Sequence, residues 1–250
     1  MRLALLSAVV VATLSVGCAA EPETDGDSTA SAVKGGQAAP AALGRSVVQV
    51  YTEQTDPRGN EVDKYCTGVL VGPRAVLTSL ECFATRTWAW SDKGPYKLAR
   101  GVVGTGDTSA TRLIFKPTNI ASMSPVFSTA AEKAKTHDDL IATSLALLTL
   151  TEDLAGGVPL AVGNVPTERD KVTVAGYGCD ASADSWGTLR TLSMTWNAWN
   201  GWWSKDFTCT KAPGDHGAAV LDASGRLVGV ATGIDAVLPL TPEVRAQLPR

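Results

Sequence analysis

Residues 66–82 read CTGVLVGPRAVLTSLEC, and the fold turns on how this stretch is read. Cys66 to Val71 is a short apolar run, Gly72-Pro73-Arg74 has the composition of a turn, and Ala75 to Thr78 is a second apolar run. Runs of about four to eight residues bounded by glycine and proline predict strands, since helices need about ten residues or more.

The same pattern continues on both sides. Ser46 to Tyr51, Gly101 to Val103, Leu145 to Leu150, Lys171 to Tyr177, Leu189 to Trp196, Ala218 to Leu221 and Leu227 to Ala231 all read as strands. Ala223-Ser224-Gly225 marks a turn between the last two. Helical signals are few: Ser128 to Lys135 suits one short turn, and Thr241-Pro242-Glu243 is a cap residue followed by proline, a helix start. No internal repeat is visible. Such strands with so few helices predict an all-β sandwich or barrel. The 250 residues, 44% hydrophobic and 19% charged, have room for one large β domain or two small ones. A net charge of -3 argues against a nucleic-acid partner, which favours a clustered basic surface.

The N-terminus reads as an export signal. Arg2 precedes an apolar run from Leu3 to Val16 that is too short to span a bilayer as a mature helix. Two cleavage readings stay open within residues 1–20: a bacterial lipoprotein signal that leaves a lipidated Cys18 as the first residue, or ordinary cleavage after Ala20. Setting Cys18 aside leaves Cys66, Cys82, Cys179 and Cys209, an even set suited to two disulfides in an oxidising compartment. No cysteine–histidine spacing suggests a metal site, and no cofactor is expected. Residues 21–32 are acidic and small, the composition of a flexible tether, and the folded part is expected from Val33 to the end.

Five ordered motifs resemble the trypsin and chymotrypsin-like serine proteases. Val33-Lys34-Gly35-Gly36 resembles that family's IVGG start, and Cys66 to Cys82 aligns without a gap on its CSGTLISPRWVLTAAHC segment. Ser144 to Leu150 (SLALLTL) resembles DIALLKL, Val172 to Gly178 (VTVAGYG) resembles VTVAGWG, and Gly214 to Ala219 (GDHGAA) resembles GDSGGP. The resemblance runs from about residue 33 to 240 and implies two packed six-stranded antiparallel β-barrels, about 33–155 and 156–240, with a short C-terminal helix. It also implies a Cys66–Cys82 bridge, and it places the Cys179 and Cys209 loops side by side, implying a second bridge.

The departures fall on the catalytic positions. Glu81 stands where the family has histidine, Ser144 where it has aspartate, and His216 where it has serine. In the family the serine attacks, the histidine carries the proton and the aspartate fixes the ring. A permuted triad fails on order: the histidine position lies between the other two, so Glu81 would separate His216 from Ser144, and the hydroxyl would face away from substrate. Asp138 or Asp139 could restore the acid only through an insertion. A Glu81–His216 pair is expected either to fill the vacated site as a polar contact or to act as general acid and base.

The resemblance further implies oxyanion-hole backbone donors at Gly214 and His216, and an aspartate at Asp215 of the kind that receives a new N-terminal amine when zymogens are cut. No lysine or arginine immediately precedes Val33, so a trypsin-type cut there lacks its basic residue, and Asp215 is open to a second reading as a turn cap. The specificity-pocket floor falls near Thr210, without an acidic residue. His137 reads either as a solvated loop residue or as one approaching the cleft. Trp196, Trp199, Trp202 and Trp203 read as core and loop cover or as a recognition surface.

The function expected from these residues is that of a non-catalytic serine protease homologue binding a protein or peptide, exported and lipid-tethered to a bacterial envelope or secreted. The alternatives are a trypsin-like endopeptidase with retained or altered activity, and a structural surface lipoprotein. Membrane contact is expected only through the lipid.

Overall fold

The chain is described here by a computed structural model covering residues 36–55, 59, 61–83, 97–105, 115–127, 144–178, 188–196, 215–232 and 236–249. The strands are β1 (Gln37–Ala38), β2 (Val47–Thr55), β3 (Glu61–Gly72), β4 (Ala75–Ser79), β5 (Lys97–Thr105) and β6 (Phe115–Phe127). There follow β7 (Ser144–Leu150), β8 (Lys171–Gly176), β9 (Arg190–Thr195), β10 (Ala219–Leu221), β11 (Leu227–Thr232), β12 (Ala236–Pro239) and the helix α1 (Pro242–Ala246).

Two six-stranded antiparallel sheets result. The first closes into a barrel in the order β2-β3-β4-β7-β6-β5. The second runs β1-β9-β8-β10-β11-β12 and is open among the described residues, residues 197–214 lying outside them. The two-barrel expectation is therefore met by one closed barrel and one six-stranded sheet. The N-terminal β1 pairs with β9, so the start of the folded chain crosses to the second sheet.

The apolar runs are continuous because both faces of the strands are covered. Val48, Val50, Leu70, Val76, Ala146, Leu148 and Leu150 fill the first barrel. Their neighbours Val47, Val69, Leu77 and Leu145 point the other way and pack with Ala175, Tyr177, Leu221, Leu227 and Val230 of the second half. The Tyr177 hydroxyl donates to the carbonyl of Val47 at 3.1 Å, a polar tie across this seam.

β6, missed from the sequence, carries Pro117 and Pro125 and leaves much of its length exposed, so it shows neither alternation nor an apolar run. Its pairing with β5 and β7 supplies what the local pattern lacks. Trp196 is buried and packs with Val172, Val174, Val220 and Val228, as the core reading expects; Trp199, Trp202, Trp203 and the 128–135 segment lie outside the described residues. Thr241 caps α1, its side chain accepting from Val244 N–H, with Pro242 in the first turn.

Candidate functional site

Strand β4 ends at Ser79, and a 3-10 turn, Leu80–Cys82, follows. Ser79 caps it, its hydroxyl accepting from the Glu81 N–H at 3.2 Å. The Cys66–Cys82 disulfide is formed and ties this turn to β3, and the Gln54 amide donates to the Cys82 carbonyl. Glu81 is thus fixed from three sides and is only 5% exposed.

Ser144 opens β7. The register pairs Ser79 with Leu145, so Ser144 lies beside the turn that carries Glu81, and it is fully buried. Its hydroxyl is closed off from solvent.

His216 sits in the 215–217 turn that leads into β10, and Thr67 of β3 anchors that turn. The Thr67 N–H donates to the His216 carbonyl at 2.9 Å, the Thr78 hydroxyl donates to the Thr67 carbonyl at 2.6 Å, and the Tyr177 N–H donates to the Thr67 hydroxyl at 2.8 Å. Gly217, at φ +89°, donates its N–H to the Ala231 carbonyl. A side chain at that glycine would overlap the Thr67 carbonyl, so the tight approach requires glycine.

These elements bring His216 Nδ1 to 3.1 Å from Glu81 Oε2. The two groups are close enough to form an ion pair when the imidazole is protonated. The imidazole is 18% exposed against 6% for the carboxylate, so histidine is the member presented to solvent.

Lys64 was not legible as a site residue. It is half-buried; desolvation lowers its pKa from the ordinary lysine value, while the charge of Glu81 works in the opposite direction. The available signal is strand alternation: Lys64 precedes Cys66 by two positions, so both occupy one face of β3, and the disulfide ties that strand to the Glu81 turn. Asp215 lies on the other side of His216. Its Oδ1 accepts from the Gly178 N–H at 2.9 Å, and its carbonyl accepts from Ala218 N–H, as a turn-tying residue would. Burial pushes this carboxyl well above the usual range, the Gly178 hydrogen bond opposing it, and Oδ2 is buried with no hydrogen-bond partner among the described residues.

Chemically, the site holds a carboxylate, an imidazole and an ammonium, which can move protons and bind charge. It holds no exposed hydroxyl at the three family positions. Gly214, His137, Thr210, Cys18, Val33 and the Cys179/Cys209 pair lie outside the described residues, as do Asp138 and Asp139.

Comparison with known proteins agrees with this architecture. Residues 66–230 match the trypsin-like peptidase domain. The chain belongs to the trypsin-like peptidase family. No curated protein matches it. Among solved structures it is similar to the protease Anisep from Arthrobacter nicotinovorans, at 14% identity and TM-score 0.56, over 81% of this chain and 93% of that one. It is similar to a scabies mite inactivated protease paralogue, S-I1, at 18% identity and TM-score 0.55, covering 82% and 93% of the two chains. It is also similar to a Mycobacterium tuberculosis protease in its active form, at 18% identity and TM-score 0.52, covering 83% and 81%. At these identities the likeness speaks for the fold.

Proposed function

We propose that this chain is a non-catalytic member of the family that binds a protein or peptide through the former catalytic cleft, exported and held at or released from a bacterial envelope. The observation that carries the reading is the site itself. The one serine among the three family positions, Ser144, is fully buried beside the turn that bears Glu81, and the most open of the three positions, still mostly covered, holds an imidazole. An acyl-enzyme requires a nucleophilic oxygen facing the scissile bond with a base in reach, and loss of the serine or histidine alone costs about a millionfold in an unrelated enzyme with the same triad. The fold is compatible with such a role, since one similar structure is described as an inactivated protease paralogue.

The 3.1 Å Glu81–His216 contact favours a second reading, a hydrolase in which His216 activates water. Both readings meet one experiment. The mature, disulfide-intact protein is incubated with a fluorophosphonate probe and a fluorescent peptide library beside active trypsin. The non-catalytic reading expects neither labelling nor cleavage. Labelling lost in Ser144→Ala, or cleavage lost in His216→Ala, would overturn it.

A further inference from the structure

The charges of the cleft are arranged unequally. His216, on the 215–217 turn, places its Nδ1 3.1 Å from the Glu81 carboxylate, and Lys64 lies on the same face of β3 as Cys66, whose disulfide partner Cys82 adjoins Glu81. That carboxylate is almost closed off, whereas the imidazole is partly open and Lys64 is half-buried. The remaining ionisable neighbour on the His216 turn, Asp215, directs its carboxylate to the Gly178 N–H and is itself buried. Cys66 and Cys82 are bonded to each other and carry no charge. With the imidazole neutral, Lys64 and Glu81 balance. With it protonated, the cluster carries one surplus positive charge among the described residues, and its partly open member is a cation.

We propose that the former cleft takes a carboxylate of its ligand, either a peptide C-terminus or an acidic side chain, against His216 and Lys64, and holds it more tightly as pH falls. The proposal rests on the non-catalytic binding role given above and names the chemistry of what is bound. Charge-assisted hydrogen bonds are the strong ones, and a pair formed away from bulk water outweighs a neutral contact. Histidine is the side chain whose ordinary titration spans about pH 5 to 8, so it supplies the pH dependence.

The chain has two histidines, so the imidazole resonances of the isotope-labelled mature protein can be followed by NMR, with His137→Ala identifying the His216 signal. Three N-acetylated tetrapeptides serve as probes: all-alanine as the free acid, the same peptide as the amide, and an amide carrying one internal glutamate. The free acid reports a C-terminal carboxylate and the glutamate peptide a side-chain carboxylate. At pH 5.5 at least one of these two is expected to shift the His216 signals, while the plain amide does not. Binding should weaken about tenfold or more by pH 8, the factor lost with one charge-assisted hydrogen bond. Lys64→Gln should weaken it further, and Glu81→Gln should tighten it, because the competing internal carboxylate is gone.

Equal shifts with all three peptides, no shift with any, or an affinity flat across this pH range would overturn the proposal. The same tubes report on the role beneath it. A new carboxylate signal from cleavage of an amide peptide would refute the non-catalytic reading, whereas an intact peptide that fails to bind refutes only the carboxylate site.

Discussion

Replacing Gly217 by alanine tests how firmly the His216 turn is seated. The position has φ +89°, a left-handed conformation that costs an L residue about 1–2 kcal/mol. A Cβ there would stand 1.9 Å from the Thr67 carbonyl oxygen and 2.2 Å from the Thr78 hydroxyl. Backbone and a buried threonine cannot swing aside as a flexible side-chain end can, so relief requires moving the Thr67 carbonyl. That motion weakens the Thr78-to-Thr67 and Thr67-to-His216 hydrogen bonds, at about 1–1.5 kcal/mol each and more if a buried group is left unmatched. The expected loss is roughly 3–5 kcal/mol. Gly225 is the internal control: its φ is +74°, but nothing lies within 4 Å of its added Cβ. Gly225→Ala should therefore show the backbone term alone, about 1–2 kcal/mol. Urea unfolding of both variants by linear extrapolation, with the disulfide intact, reads the difference. A gap of about 2–3 kcal/mol, roughly 8 °C in Tm for a domain of this size, supports the reasoning. Equal losses in the two variants would show that the turn relaxes without cost and that Thr67 does not hold His216 in place.

Removing the bridge with Cys66→Ala/Cys82→Ala opens a loop with sequence separation 16. Chain entropy predicts a loss of about 3 kcal/mol, and the two buried sulfurs add on the order of 1 kcal/mol each. The urea m-value should rise as the unfolded chain expands; a loss under about 1 kcal/mol contradicts this. Asp215 gives a pH prediction. Its carboxyl is raised in the folded, uncut chain, so that state keeps a proton the unfolded chain releases, and stability falls as pH climbs above about 4. Asp215→Asn removes this slope while retaining an acceptor for Gly178, so its stability relative to the parent should improve from pH 4 to 8; parallel profiles would refute it. Thr241→Ala should cost about 0.5–1 kcal/mol by thermal unfolding, since the cap it removes is a single long contact of 3.5 Å on a five-residue helix.

Much of the fold was readable because burial leaves a local trace. Strands covered on both faces appear as unbroken apolar runs, as at 145–148 and 227–231, and the Gly72-Pro73-Arg74 turn fixes where one strand gives way to the next. Glu81, Ser144 and His216 could be placed by sequence because each lies inside a contiguous motif whose flanking residues set its position, and the structure puts Glu81 and His216 side by side. β6 was not, since its prolines and exposed face erase the period and only pairing with β5 and β7 makes it a strand. Nor could the sequence show His216 meeting the Glu81 carboxylate, or a buried oxygen of Asp215 with no hydrogen-bond partner among the described residues. Residue types and their spacing determine which segments extend and which faces are covered. Which distant side chains meet, and how dry their meeting place is, depends on barrel closure and the packing of one half on the other, and those are properties of the whole chain.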